Sequence, residues 1–276
     1  MALALILSSF VAANRIGGAA QQYVLAAHGI DPVLAPTVMY GRSPARGSQG
    51  QVTAPDVFAR MLGDIEADAI FGMVDLVITG HFSLPEQVEI AGGVLSRVRE
   101  ASERPPVMVV DPILGDAPGG LYVRPDVADA VAAHLVPLAD WITPNLWELA
   151  YLTGAEIPDI GEAVAAARRL GKPAVVTSAP ARDGETGVLF VDAETAILFA
   201  HPRLAKAPNG TGDLVTASFG AGLVEGLAAV AAAERAARAV AEAVTAAQDR
   251  RSPELPIVAL GPRLVRPTAE MRIERL

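Results

Sequence analysis

The sequence predicts an α/β fold: a mostly parallel central sheet, helices on both faces, and an antiparallel edge. Three observations predict it. Short, nearly continuous apolar runs recur along the chain, as parallel strands buried on both faces require. Longer segments of helical period, with readable first turns, separate them. After Lys172 the connections between apolar runs shorten, which suits antiparallel neighbours.

The first strand is Ala2–Leu7. It sits in an apolar segment, Met1 to Ala13, that lacks the basic n-region of an export signal. Thr53-Ala-Pro-Asp56 reads as a capping box with proline in the first turn. Val57, Phe58, Met61, Leu62 and Ile65 then share one helical face. Val74–Thr79 is the next strand, and Ser83-Leu-Pro-Glu86 repeats the cap signal. Val107–Val110 and Trp141–Thr143 are further strands, and Asp159-Ile-Gly-Glu162 opens a helix carrying Val164 and Leu170. Ala174–Thr177, Gly187–Val191 and Ala196–Phe199 form the antiparallel edge, followed by a loop from His201 to Asn209. Two helices run from about Thr211 to Gln248. The alanine-rich stretch Leu227 to Ala247 is interrupted by Glu234, Arg235, Arg238 and Glu242, so it is amphipathic and no membrane span. The tail from Arg250 is a last strand or a loose end. With no repeat, linker or charge block, residues 1–276 read as one domain, and the cytoplasm is the expected location.

The chain has 276 residues, a net charge of −9 and no cysteine. Hydrophobic residues make up 51%, enough for a core, which excludes bulk disorder. The missing cysteines exclude disulfides, thiolate zinc sites and cysteine nucleophiles. Four histidines without metal-ligand spacing give no zinc site, and His28 and His134, in helical segments, read as structural. The acidity excludes a general nucleic-acid binder. Any phosphate ligand must therefore be attracted by local devices.

Asn209-Gly-Thr-Gly-Asp213 is such a device. Two glycines fold the backbone tightly at a helix start, where free amides and the helix dipole attract an anion. Asp213 beside that cradle repels phosphate, but suits a base taking a proton from an attacking hydroxyl. Asp111-Pro-Ile-Leu-Gly-Asp116 and Thr143-Pro-Asn-Leu-Trp-Glu148 each follow an apolar strand. Ligands of open parallel sheets bind beyond those carboxyl ends, so Asp111, Asn145 and Glu148 converge on one rim. Carboxylates of this kind suit Mg²⁺ carried with substrate phosphates. Taken singly, each motif also reads as a turn or a helix cap.

In this order, Asp-Pro-x-x-Gly, Thr-Pro-Asn-x-x-Glu and Gly-Thr-Gly-Asp resemble the ribokinase-like superfamily, in its vitamin B6 (pyridoxal) kinase branch. Ser9-Phe-Val11, Gly17-Gly18-Ala19, Thr79-Gly80 and Ala243 to Arg250 extend the resemblance over most of the chain. It implies a ribokinase-like three-layer sandwich and ATP-dependent phosphorylation of the 5′-hydroxymethyl group of pyridoxal or a close vitamer. It also implies roles. Asp213 is the catalytic base, and Gly210, Thr211 and Gly212 form the anion hole. Asp111, Thr143, Asn145, Glu148, Thr177 and Ser178 are ATP-binding, with Asp111 and Glu148 holding the metal. His201, Pro202, Arg203 and Leu204 form a flap over ATP. Ser9 contacts the polar atoms of the pyridine ring, and Pro44 and Ala45 fall where acceptor contacts are expected. Independently of the resemblance, His81 follows Thr79-Gly80 at a strand end and is a candidate to line the same substrate pocket. ATP and Mg²⁺ are implied, with a monovalent cation as a further candidate, and the family expectation is a homodimer. No nucleic acid or membrane partner is expected.

The loop Gly41-Arg-Ser-Pro-Ala-Arg-Gly47 departs from the family's Ser-Asn-His-Thr-x-Tyr-Gly, and neither Pro44 nor Ala45 offers a side-chain hydrogen bond. Alternative readings are therefore a kinase of hydroxymethylpyrimidine or another small alcohol, and a non-catalytic B6-vitamer binding protein.

Overall fold

The computed structural model describes residues 2–204 and 207–276. Apolar runs with β-branched side chains become the strands β1 (Ala2–Val11), β2 (Ile30–Tyr40), β3 (Gln51–Val52), β4 (Leu76–Thr79) and β5 (Val107–Val110). A small separate hairpin follows, β6 (Gly115–Asp116) with β7 (Gly120–Leu121). The remaining strands are β8 (Trp141–Ile142), β9 (Ala174–Ala179), β10 (Glu185–Val191), β11 (Ala196–Pro202) and β12 (Arg272–Arg275). The main sheet runs β12-β11-β10-β9-β8-β5-β4-β1-β2-β3. Its centre, from β2 to β9, is parallel, and β9 to β12 are antiparallel, the edge expected after Lys172.

Side chains alternate between the two faces of this sheet. Ala4, Ile6, Leu76, Ile78, Val109, Val175 and Phe190 point into one core, while Leu5, Leu7, Val77, Met108 and Val110 point into another. The first core is closed by α1 (Gly18–Ala27) and by two helices from the last third of the chain. The second is closed by α2 (Pro55–Ala67), α3 (Pro85–Ala101) and α4 (Pro125–Ala130). Under β9–β11 a third cluster is covered by α5 (Leu146–Thr153) and α6 (Ile160–Arg169). The chain then forms α7 (Thr211–Val224) and α8 (Ala229–Asp249), whose alanines allow close packing against the first core. Short α9 (Ile257–Leu260) and α10 (Pro262–Val265) precede β12, so the tail is neither loose nor only a strand. Among the described residues, no helix is long and apolar enough to cross a membrane.

Several local expectations are corrected. The sequence pattern predicts no strand at β2, whose run contains Pro32 and Pro36. Both are tolerated because the antiparallel partner β3 meets β2 only at Val38 and Met39, leaving the earlier edge unpaired. Thr53 does not cap α2. Its hydroxyl donates to the Pro36 carbonyl at 2.7 Å, and Ala54 occupies the N-cap position. Likewise Leu84, not Ser83, occupies the N-cap of α3, and Gln87 rather than Glu86 reaches back. The Gln87 Oε1 accepts the amides of Ser83 (3.0 Å) and Leu84 (3.3 Å), and its Nε2 donates to the carbonyls of Thr37 and Thr53 at 2.8 and 2.7 Å. Val57 faces solvent, while Phe58 and Leu62 are buried and Met61 and Ile65 pack beside them against the same core. Val74 and Thr143 lie outside their strands, and His201 and Pro202 belong to β11 rather than to a loop. His28 caps α1 at its C-terminus. The rest of the expected loop includes Ala205 and Lys206, which lie outside the described residues. Asp159 does cap its helix, accepting the Glu162 amide at 2.9 Å.

Candidate active site

Parallel pairing brings the carboxyl ends of β1, β4, β5, β8 and β9 to one rim. Ser9, Gly80-His81, Asp111, Thr143-Pro-Asn145 and Thr177 stand there. The N-terminus of α7 faces the same rim. Gly210, at φ +94°, turns the chain into the helix, and a Cβ there would lie 2.4 Å from the Arg15 carbonyl oxygen. The first helical bond runs from the Leu214 amide to Gly210, so the amides of Thr211, Gly212 and Asp213 precede the ladder. A Cβ on Gly212 would meet nothing within 4 Å, so these amides border open space of the kind an anion needs.

Asp213 is buried. Its Oδ2 accepts the Gly17 amide at 2.8 Å, and its Oδ1 accepts the Gln21 side chain at 3.4 Å. Burial pushes its carboxyl up to about 6, and the Gly17 amide opposes that shift. Gly17 sits at φ +59°, and a Cβ there would be 2.3 Å from the Ser9 hydroxyl. Gly17 thus lies between the expected ring-binding serine and the expected base, in contact with both.

Asp111 is buried too. Its Oδ2 accepts the Thr216 hydroxyl at 2.9 Å, and Thr143 lies 2.8 Å from that same hydroxyl, so the Thr143 proton completes the relay. Burial, then the charges of Glu148 and Asp213, hold the Asp111 carboxyl well above its usual range. Glu148 has two duties. With Asn145 it forms the reciprocal cap of α5, its Oε2 accepting the Asn145 amide while Asn145 Oδ1 accepts the Glu148 amide, at 2.8 and 2.9 Å. Its Oε1 accepts the Leu114 amide at 2.8 Å and the Gly115 amide at 3.4 Å, and Asn145 Nδ2 donates to the Gly115 carbonyl. The pair thereby pins the loop after Asp111. Burial pushes the Glu148 carboxyl up to about 7 against those three amides.

None of these carboxylates has a salt-bridge partner among the described residues. Such crowding of like charge is relieved by a divalent cation, so Asp111 and Glu148 fit Mg²⁺ arriving with phosphates. They are a pair only, since no group of three or more candidate ligands occurs among the described residues.

Among the residues expected to bind ATP, Thr177 pairs with Asn145 as an isolated bridge, its amide donating to Pro144 at 2.9 Å, and Ser178 takes a left-handed φ of +56°. His201, Pro202 and Leu204 line a cleft of about 400 Å³ with Ala241, Val244 and Thr245 of α8. Arg203 is absent from that lining and instead donates its amide to Gly184. Among the residues expected to face the acceptor, burial pushes the His81 imidazole down to about 4, with Ser83 as its 3.3 Å neighbour. Pro44 and Ala45 lie exposed in a short 3₁₀ turn, so the rim geometry does not bring them into the buried cluster. Trp147 stacks on Tyr151 and backs Gly115, which makes it packing.

Sequence reading missed Gln21, Thr216 and Asn14. Thr216 was accessible by its i+3 spacing from Asp213, and Gln21 by its i+4 spacing from Gly17, each a polar residue on a buried face. Asn14 carries no local signal.

The phosphomethylpyrimidine kinase family model matches residues 64–257. A pyridoxine/pyridoxal/pyridoxamine kinase of Bordetella avium is 36% identical over 256 residues, 90% of this chain and 86% of that protein. A pyridoxal kinase of Leifsonia xyli subsp. xyli is 32% identical over 224 residues, 78% of each chain. The pyridoxal kinase of Leishmania donovani, solved in complex with ADP and pyridoxamine, has a TM-score of 0.93 at 22% identity, with both chains covered completely, and so shares the fold.

Proposed function

This chain belongs to the pyridoxal kinases of the ribokinase-like superfamily, and on that premise we propose how its residues carry the reaction. The protein is an ATP-dependent kinase of the 5′-hydroxymethyl group of pyridoxal or a close B6 vitamer. One observation carries the residue assignment: Asp213 stands at the head of α7, below unladdered amides and beside Ser9 and Gly17.

Asp213 takes the proton of the acceptor hydroxyl as its oxygen bonds to the γ-phosphorus and the bond to the ADP oxygen breaks. Burial helps here. A carboxyl held near 6 is a stronger base than an ordinary aspartate and is still ionised at neutral pH. The amides at Gly210, Thr211 and Gly212 receive the charge of the transferring phosphoryl group, and because they are already oriented the protein need not reorganise. Asp111 and Glu148 would hold Mg²⁺, which supplies charge neutralisation to the nucleotide phosphates. The Thr143–Thr216–Asp111 relay and the amides around Glu148 fix these two carboxylates. Thr177, Ser178 and Asn145 border the nucleotide phosphates, and the cleft under His201, Pro202 and Leu204 takes the nucleoside end. Ser9 and His81 face the acceptor. The whole sheet operates as one kinase domain, and a cytoplasmic homodimer is the state we infer from the family.

The test is formation of the vitamer phosphate from ATP by purified protein, across pyridoxal, pyridoxine, pyridoxamine and hydroxymethylpyrimidine. Pro44 and Ala45 give the last of these its place in the panel, because they remove side-chain hydrogen bonds from the acceptor loop. A preference for hydroxymethylpyrimidine would change the acceptor and keep the chemistry. Tight vitamer binding without ATP turnover would overturn both.

A further inference from the structure

We infer that Glu254 is a positioning residue for the acceptor: a latch joining the acceptor loop and the segment beside the base to the turn that ends α8. The inference rests on the kinase reading for its catalytic consequence, and on geometry alone for the latch.

Glu254 is held firmly on its own side. α8 ends at Asp249, and Arg251 at φ +50° turns the chain so that the Ser252 amide returns to Ala247 at 2.8 Å. The Ser252 hydroxyl then donates to the Glu254 carbonyl at 2.7 Å and accepts the Glu254 amide at 3.2 Å. Leu255, next in the chain, is buried in the first core. The carboxylate is therefore presented by a turn anchored on the C-terminal end of α8, the helix that lines the nucleotide cleft.

Three donors from two distant segments converge on it. Oε1 accepts Asn14 Nδ2 at 2.5 Å and Arg46 Nη2 at 3.0 Å, and Oε2 accepts the Arg15 amide at 3.3 Å. Asn14 is 3% exposed, and its Oδ1 accepts the Ser43 amide at 2.5 Å. One arm, through Arg46 and Asn14, holds the loop Gly41–Gly47. The other, through Arg15, holds a segment whose carbonyl at Arg15 abuts Gly210 and whose amide at Gly17 binds Asp213. The glutamate thus sits one short segment from both the anion cradle and the base.

Stability alone does not explain the arrangement. The Arg46–Glu254 pair is half exposed on the arginine side, where ion pairs contribute little. What the carboxylate fixes is relative position, and a misplacement of about 1 Å near a reacting group costs up to about a hundredfold in rate.

The experiment compares E254A, E254Q, R46A and the double variant E254A/R46A in the full chain, by steady-state kinetics and by hydrogen exchange of the unliganded protein. The expected result for E254A is an acceptor KM raised about tenfold and a lower kcat, with the ATP KM changed less than about twofold. E254Q, which keeps acceptor oxygen but loses the charge, falls between. R46A raises the acceptor KM by less, and the double variant is no worse than E254A, as expected for one shared contact. Exchange in residues 12–17 and 41–47 rises while α8 keeps its protection. Arg46 is exposed, so its variant folds even if E254A is damaged. Unchanged exchange in those segments overturns the latch. Acceptor and ATP KM rising together, or activity lost only in proportion to unfolded protein, overturns the positioning role. Failure of the wild type to phosphorylate any vitamer overturns the kinase reading instead, with the latch judged by exchange.

Discussion

The Gly17 amide donates to the Asp213 carboxylate at 2.8 Å, joining residues 196 apart in sequence. The bond ties the carboxylate to the Gly17 turn, which packs against Ser9, and partly offsets the cost of burying a charge. Asp213→Asn keeps an oxygen for that amide and removes the base. Turnover is expected to fall by about 10²–10⁴, the range for loss of general base catalysis, with substrate KM values nearly unchanged. Wild-type-like turnover in a vitamer-phosphate assay would remove Asp213 from the mechanism.

The raised carboxyl of Asp213 has two consequences with pH. Activity needs the ionised form, so kcat/KM is expected to fall as pH drops below about 6. Stability runs the other way. The unfolded carboxyl titrates near 3.8 and the folded one near 6, so in this window the folded state binds more protons. Its contribution to stability is greatest below about pH 4 and is lost as pH rises through 6. The shift corresponds to roughly 2–3 kcal/mol. Asp213→Asn should therefore be more stable than wild type by about that amount at pH 7.5, and equal to it near pH 4, in denaturant unfolding followed across pH.

Two glycines of one motif should separate fold from chemistry. Gly210→Ala places a methyl group against the Arg15 carbonyl in a left-handed backbone, and is expected to cost about 1–3 kcal/mol. Gly212→Ala meets no neighbour within 4 Å, so the melting temperature should hold while the methyl group intrudes on the cradle and lowers kcat about tenfold or more. Thermal melts and kinetics on both variants decide it.

Thr216 serves both Asp111 and Thr143. Thr216→Val leaves a buried carboxylate without its hydroxyl donor, at a cost of about 1–3 kcal/mol, and should weaken nucleotide use as Asp111 shifts further toward the neutral form. Thr216→Ser should restore both. A valine variant with wild-type ATP kinetics and stability would contradict the relay.

The rim was legible because its residues directly follow continuous apolar runs, and Asp111, Asn145 and Asp213 each stand where such a run or a glycine turn ends. What was not legible depended on partners distant in sequence. β2 was hidden by prolines that only an unpaired edge tolerates. Thr53 resembles a cap, but its hydroxyl is spent on Pro36, across a strand the local pattern did not reveal. Glu148 was read as a metal ligand, yet its amide contacts to Leu114 and Gly115 exist only once the Asp111 loop has folded onto α5. Glu254 had no signature at all, because its role is written in residues 14, 15 and 46.

The clamp made by Gln87 sets the mechanics of the loop that follows β2. One side chain grips the carbonyls of Thr37 and Thr53 from α3, and Val38 pairs with Val52 between them. Both ends of the loop from Gly41 to Gly50 are thereby fixed about one strand spacing apart, roughly 5 Å. Motion of this loop is therefore a flap swinging on a rigid base once its contacts at Ser43 and Arg46 release. Acceptor binding should accordingly leave the radius of gyration in small-angle scattering unchanged.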